Sequence, residues 1–142
     1  MSDRLEIATL IRPAEPGKKA RRSVDFLVNC ESLFTATEAK NADMCGRFSS
    51  DFPENNPEAA EIFTLRRPAD LKSGRSMLYV CPECGDIGCG AITVRISDES
   101  GNIVWSAFAY ENDYEEPRPI CIGPFKFPAE CYAQVIAEAR DA

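Results

Sequence analysis

The sequence predicts an α+β fold: an antiparallel β-sheet or meander of five or six strands, with two helices packed on it. Three observations predict it. Ile92, Val94 and Ile96 alternate with Thr93, Arg95 and Ser97, and after a turn-forming run at 98–102 the chain returns as an apolar strand from Ile103 to Tyr110. That pattern is a β-hairpin with a loop of about four or five residues. Two other segments, 57–67 and 128–140, open on proline and carry helical spacing. Finally, 142 residues, 44% apolar and 27% charged, make one ordered domain, 1–142, rather than a disordered chain.

Leu5 to Ile11 alternates loosely and reads as the first strand. Pro13 to Gly17 breaks it, and Lys18, Lys19, Arg21 and Arg22 form a basic cluster in a hairpin loop. Four charges are too few for an interaction tail, so a solvated loop is the expectation. Ser23 to Asn29 is a second strand and Glu31 to Thr37 a third, joined by a turn at Asn29-Cys30. Residues 38–57 are polar, irregular and rich in turn formers, which predicts a long surface loop with Cys45 as an exposed thiol.

Asn56-Pro57 starts a helix, with Asn56 as N-cap and Glu58 and Glu61 in its first turns. Pro68 stops that helix by Arg67. Met77 to Val80 is a short, wholly apolar strand, expected to pair with the hairpin at 92–110. On the second hairpin strand Trp105 is expected on one face, with Val104, Phe108 and Tyr110 on the other. Residues 111–117 form an acidic loop without the ligand spacing of a calcium loop. Pro128 opens the last helix, where Tyr132, Val135, Ile136 and Ala139 make one buried stripe with Cys131 at its edge.

The chemically richest stretch is Tyr79-Val80-Cys81-Pro82-Glu83-Cys84-Gly85-Asp86-Ile87-Gly88-Cys89-Gly90. Cys81 and Cys84 have the C-x2-C spacing of a zinc knuckle, in which two thiolates reach one tetrahedral ion. Cys89 offers a third thiolate. A fourth ligand would come from Cys121 or Cys131, or else from Cys45, Asp86 or water. Two other readings stand beside zinc. The cysteines could be plain thiols around a glycine-rich loop. Cys81 and Cys84 could cycle between dithiol and disulfide, although the motif lies between strands and Glu83 and Asp86 should raise the thiol pKa values.

Composition excludes several chemistries. There is no histidine, so Ser-His and Cys-His nucleophiles and mixed Cys/His zinc sites are ruled out. The formal net charge is −7. Residues 1–75 hold 12 basic and 12 acidic side chains, and residues 76–142 hold 4 and 11, so the whole excess lies in the second half. Such a field repels phosphate backbones and attracts a basic protein. No apolar run is long enough to span a bilayer and no leader is evident, so the expectation is a cytoplasmic protein with no membrane or nucleic-acid partner. Seven cysteines in that compartment are free thiols or metal ligands.

Residues 70–75 (Asp-Leu-Lys-Ser-Gly-Arg) and the Leu78–Ala91 stretch resemble a group of small uncharacterised bacterial proteins that share a YVCPxCGDxGCG-type loop. The likeness covers roughly residues 60–140 and extends to Val104–Asn112 and Gly123–Phe127, with Trp105 directly after Val104 rather than spaced from it. Some of those proteins carry an oxidoreductase label, but this chain has no glycine-rich dinucleotide fingerprint to support one. The resemblance implies that the loop defines the group and adds no mechanism. The sequence therefore reads as a non-enzymatic interaction protein with a cysteine loop that holds structural zinc. The alternative is a thiol- or metal-dependent redox enzyme centred on that loop.

Overall fold

The computed structural model describes residues 2–142. Among them the chain forms β1 (Leu5–Arg12), β2 (Arg21–Val28), β3 (Glu31–Ser32), α1 (Leu33–Ala36), β4 (Cys45–Gly46), α2 (Asn56–Phe63), β5 (Ser76–Val80), β6 (Ala91–Glu99), β7 (Asn102–Glu111), β8 (Arg118–Pro119), β9 (Phe125–Pro128) and α3 (Ala129–Asp141). The class is the α+β one the sequence predicts. Its strands fall into two antiparallel sheets, one ordered β1-β2-β3 and the other β4-β5-β6-β7-β8, with β9 also paired to β7.

The predicted hairpin is β6–β7, in register from Glu99↔Asn102 to Ala91↔Glu111. Its turn is tighter than expected: Ser100 and Gly101 alone bridge the strands, both at positive φ (55° and 85°), as a mirror-image two-residue turn requires. The pairing slips between Thr93 and Arg95, and Ala107 opposite this slip sits at φ 52°. One extra residue reverses the alternation. The expectation of opposite faces for Trp105 and Phe108 is therefore wrong: both are buried in the same core with Ile103.

Two short-range expectations also fail. The third strand is only Glu31–Ser32. Ser32 then caps a single helical turn, its hydroxyl accepting from the Thr35 amide, because a serine at that point offers the helix a better start than the strand offers a continuation. Asn56 is the first residue of α2 rather than its cap. Its side-chain amide pins the Ser49 backbone instead, accepting from the Ser49 N–H and donating to the Ser49 carbonyl, both at 3.1 Å.

Residues 38–57 do not form a surface loop throughout. Met44, Cys45 and Phe48 are buried, so Cys45 is not the exposed thiol expected. The segment stitches the sheets together: the Val24 amide donates to the Phe48 carbonyl at 2.9 Å, and Cys45 and Gly46 pair with Val80 and Tyr79 of β5. Gly46 is obligatory, since a Cβ there would fall on the Val24 carbonyl oxygen. The sheets meet again at their other ends, where the Asp3 amide donates to the Lys126 carbonyl at 2.7 Å. Between them Trp105 packs edge-on against Phe26, Phe127, Phe63 and Tyr132 at centroid distances of 5.4 to 6.0 Å. α2 and α3 close this core, with Tyr132, Ile136 and Ala139 buried as the stripe predicts and Val135 of that stripe only half-buried. Cys131 lies outside it, exposed.

Candidate metal centre

The cysteine loop, residues 81–90, joins β5 to β6. β5 carries Cys81 to the end of a buried strand and β6 begins one residue after Gly90, so both feet of the loop are fixed by sheet pairing. Between them the backbone folds back on itself. The Gly85 amide donates to the Cys81 carbonyl at 2.9 Å, with Gly85 at φ 65°. Asp86 starts a one-turn helix at 87–89, its carboxylate accepting from the Gly88 amide at 3.1 Å. The turn ends at Gly90, φ 91°, which lies under the Tyr110 ring so closely that a Cβ would meet the phenol. The Arg118 guanidinium also lies over that ring, 4.5 Å from its centroid.

This folding gathers Cys81, Cys84 and Cys89, whose sulfurs all lie within 4.8 Å of one another. The Cys84 and Cys89 sulfurs are 3.1 Å apart. The Asp86 amide donates to the Cys84 sulfur at 3.4 Å, and the Glu83 and Cys84 amides favour the thiolate form of Cys81. Burial raises the Cys81 thiol, but those amides and the neighbouring thiols outweigh it and hold it below the ordinary thiol value. Cys89 moves the other way. Sharing hydrogen bonds with Cys84 and Cys81, and facing their charge, it is pushed up to about 12. Three thiolates are the donors a soft or borderline divalent ion takes; a tetrahedral zinc with thiolates at about 2.3 Å places its sulfurs roughly 3.8 Å apart, so Cys84 and Cys89 would separate from 3.1 Å to hold it.

Among the described residues no other His, Cys, Asp or Glu donor joins this group. Cys121 and Cys131 are exposed elsewhere on the surface, on the approach to β9 and on α3. Asp86 is spent on the Gly88 amide. Cys45 stands near Cys81, its strand neighbour Val80 immediately preceding it, but is not among the three. Burial pushes the Cys45 thiol up to about 11.

The loop is also held from outside, by Arg12, which the sequence does not single out, and by Arg21, which it places in a solvated loop. The Arg12 guanidinium donates to the Glu83 carboxylate at 2.9 Å, to Asp43 at 2.9 and 3.1 Å and to the Lys19 carbonyl at 3.0 Å. Arg21 donates to the Pro82 carbonyl at 2.8 Å and lies over the Phe52 ring at 5.1 Å. Both arginines are nearly buried. They offset the negative charge of Glu83, which the sequence suggested would bear on the thiols. Nothing local in the sequence marks them, because the pairing spans 71 residues for Arg12 and Glu83. The acidic loop holds a similar surprise: Glu111 is buried, accepting from Thr93 at 2.6 Å and Ser73 at 3.1 Å.

A pocket of about 290 Å³ opens beside the loop, with Cys81 and Cys84 on one wall. No helix among the described residues is long and apolar enough to cross a membrane. Comparison with family models, curated proteins and solved structures finds no match for this chain.

Proposed function

We propose that this is a non-enzymatic interaction protein of a reducing, cytoplasmic compartment, whose loop holds one zinc ion on Cys81, Cys84 and Cys89. The single observation that carries the reading is the grouping of three sulfurs within 4.8 Å. Zinc would act as a staple, fixing a loop that has little regular structure of its own. The partner is a basic protein. Supporting this, Asp98, Glu99, Asp113, Glu115 and Glu116 are all exposed, and the second half of the chain carries 11 acidic against 4 basic residues. That charge also disfavours nucleic acid.

Metal analysis of untagged protein purified without chelator tests the metal. The expected result is one zinc per chain, lost in Cys84→Ser together with a lower melting temperature. No metal in protein with seven free thiols would sink it.

One observation favours a second reading. Cys84 and Cys89 are exposed with sulfurs 3.1 Å apart, which suits a dithiol–disulfide couple: one of the two attacks oxidised glutathione and releases one reduced glutathione, and the other displaces the second from the mixed disulfide to close the bridge. Oxidised and reduced glutathione at graded ratios distinguish the two: a reversible loss of two thiols in metal-free protein, with a Cys84–Cys89 bridge found by peptide mapping, is the redox outcome.

A further inference from the structure

We infer that the pocket beside the cysteine loop binds a small aminothiol, its sulfur completing the coordination of the loop's metal and its ammonium facing Glu58. This rests on the metal reading above. Three thiolates leave a tetrahedral ion one donor short, and among the described residues no fourth side chain joins them. The remaining position is therefore open to water or to a ligand, and the pocket, with Cys81 and Cys84 in its lining, is a place from which a ligand can reach it. Its volume, about 290 Å³, admits a molecule of a few heavy atoms with room to spare, and Cys81 and Cys84 form part of its wall.

The lining selects the ligand's chemistry. Phe52, Met77 and Val80 supply apolar surface suited to a short alkyl chain. A soft ion on three thiolates favours another sulfur as its fourth donor. Two carboxylates line the pocket: Glu83, already paired with Arg12 at 2.9 Å, and Glu58, exposed in the first turn of α2 and without a salt bridge among the described residues. The lining arginine, Arg47, is already spent on Asp70 at 2.6 and 3.1 Å and on the Met77 carbonyl at 3.0 Å. A site with three thiolates and a free carboxylate, and its one lining cation committed, takes a cation in preference to an anion.

The test uses the full chain loaded with Co²⁺, whose visible bands report both thiolate ligation and the fourth donor. Three thiols of equal length are titrated: 2-aminoethanethiol, 2-mercaptoethanol and mercaptoacetate. They differ in thiol acidity, but equally so for wild type and Glu58→Gln, so the readout is the change in affinity ratio between the two proteins. The expected result is a band shift with the aminothiol. Its preference over mercaptoacetate should fall roughly tenfold in Glu58→Gln, the scale of one nearby charge acting on ligands of opposite sign. A ratio unchanged by Glu58→Gln overturns the aminothiol assignment. Bands that no thiol shifts, or that thiols bleach by stripping the ion, overturn the pocket as the source of the fourth ligand while leaving the three-thiolate metal in place. Absence of any thiolate–cobalt band removes the metal reading and this inference with it.

Discussion

At the residue scale, polar groups buried in this core are there because each has a partner. Tyr132 is the clearest case. Its hydroxyl accepts from the Trp105 indole at 3.1 Å and donates to the Phe63 carbonyl at 2.7 Å, linking α3 to β7 and to the end of α2. Tyr132→Phe keeps the ring and strands both partners without water. We expect a loss of about 1–3 kcal/mol in urea unfolding, the cost of leaving buried polar groups unpaired. A change under about 0.5 kcal/mol would mean that water reaches them. Cys45 gives a prediction in pH. Burial raises its thiol from the ordinary 9.0 to about 11 in the folded chain, so the folded state holds the proton more tightly than the unfolded one. Its contribution is fully present below pH 9 and is lost as pH climbs from 9 to 11. The loss amounts to at most roughly 2–3 kcal/mol. Tyr79, raised well above its usual value by burial and the Asp25 charge, acts in the same sense above pH 10. The readout is therefore the difference: Cys45→Ala should flatten the fall in stability between pH 9 and 11, and an unchanged slope would remove Cys45 as its source.

At the scale of elements, what the sequence revealed depended on how local the deciding interaction was. β6 and β7 were legible because alternation and a turn signal are both carried within 20 residues. α3 was legible because proline and a four-residue stripe mark it. α2 was legible in position but not in its ends. Pro68 suggested a stop near Arg67, yet the helix ends at Phe63. Leu65 adopts φ 63°, the Arg66 amide returns to the Glu61 carbonyl at 2.8 Å and the Leu65 amide to the Ile62 carbonyl at 3.1 Å. These are the two bonds of a glycine-type helix terminus, built here on a leucine that is 41% exposed. Leucine is strained in that conformation and glycine is not. Leu65→Gly should therefore stabilise the protein by about 0.5–1 kcal/mol, the usual scale of left-handed strain set against glycine's larger unfolded entropy. Thermal unfolding checks it, and a lower melting temperature would show that the leucine side chain contributes more by packing than it costs in strain. The segment 38–57 was illegible for the opposite reason. Its buried residues, Met44, Cys45 and Phe48, are spaced without helical or strand period, and only partners in β2 and β5 place them.

For the whole molecule, the question is what the β1–β2 hairpin does for a loop 60 to 70 residues further on. The three ligand candidates were readable from spacing alone. The groups that hold their loop were not, because Arg12, Arg21 and Glu83 meet only once the two sheets are stitched through residues 45–49. Arg12 is the centre of that clamp, joining the Asp43 segment, the hairpin at Lys19 and the loop at Glu83. Its ion pairs hold Asp43 below the usual carboxylate range, Arg12 being the largest cause. The partners Asp43 and Glu83 are about half exposed, 45% and 51%, so water screens the attraction and its share of global stability is small, within about 1 kcal/mol. Position is a different matter. Glu83 lies between Cys81 and Cys84, and tethering it fixes the spacing of both sulfurs before any ion arrives. Groups that orient metal ligands in this way commonly change affinity by about 10- to 100-fold when removed. Arg12→Ala should therefore shift the melting temperature little while weakening zinc binding by roughly tenfold or more, measured by competition with a chromogenic chelator. Arg12→Lys should recover only part of it, since an ammonium cannot reach Asp43, Glu83 and the Lys19 carbonyl in one plane. If zinc affinity is unchanged while stability falls, the clamp belongs to the fold and not to the metal centre, and the loop is ordered by its own glycines and amide-to-sulfur hydrogen bonds alone.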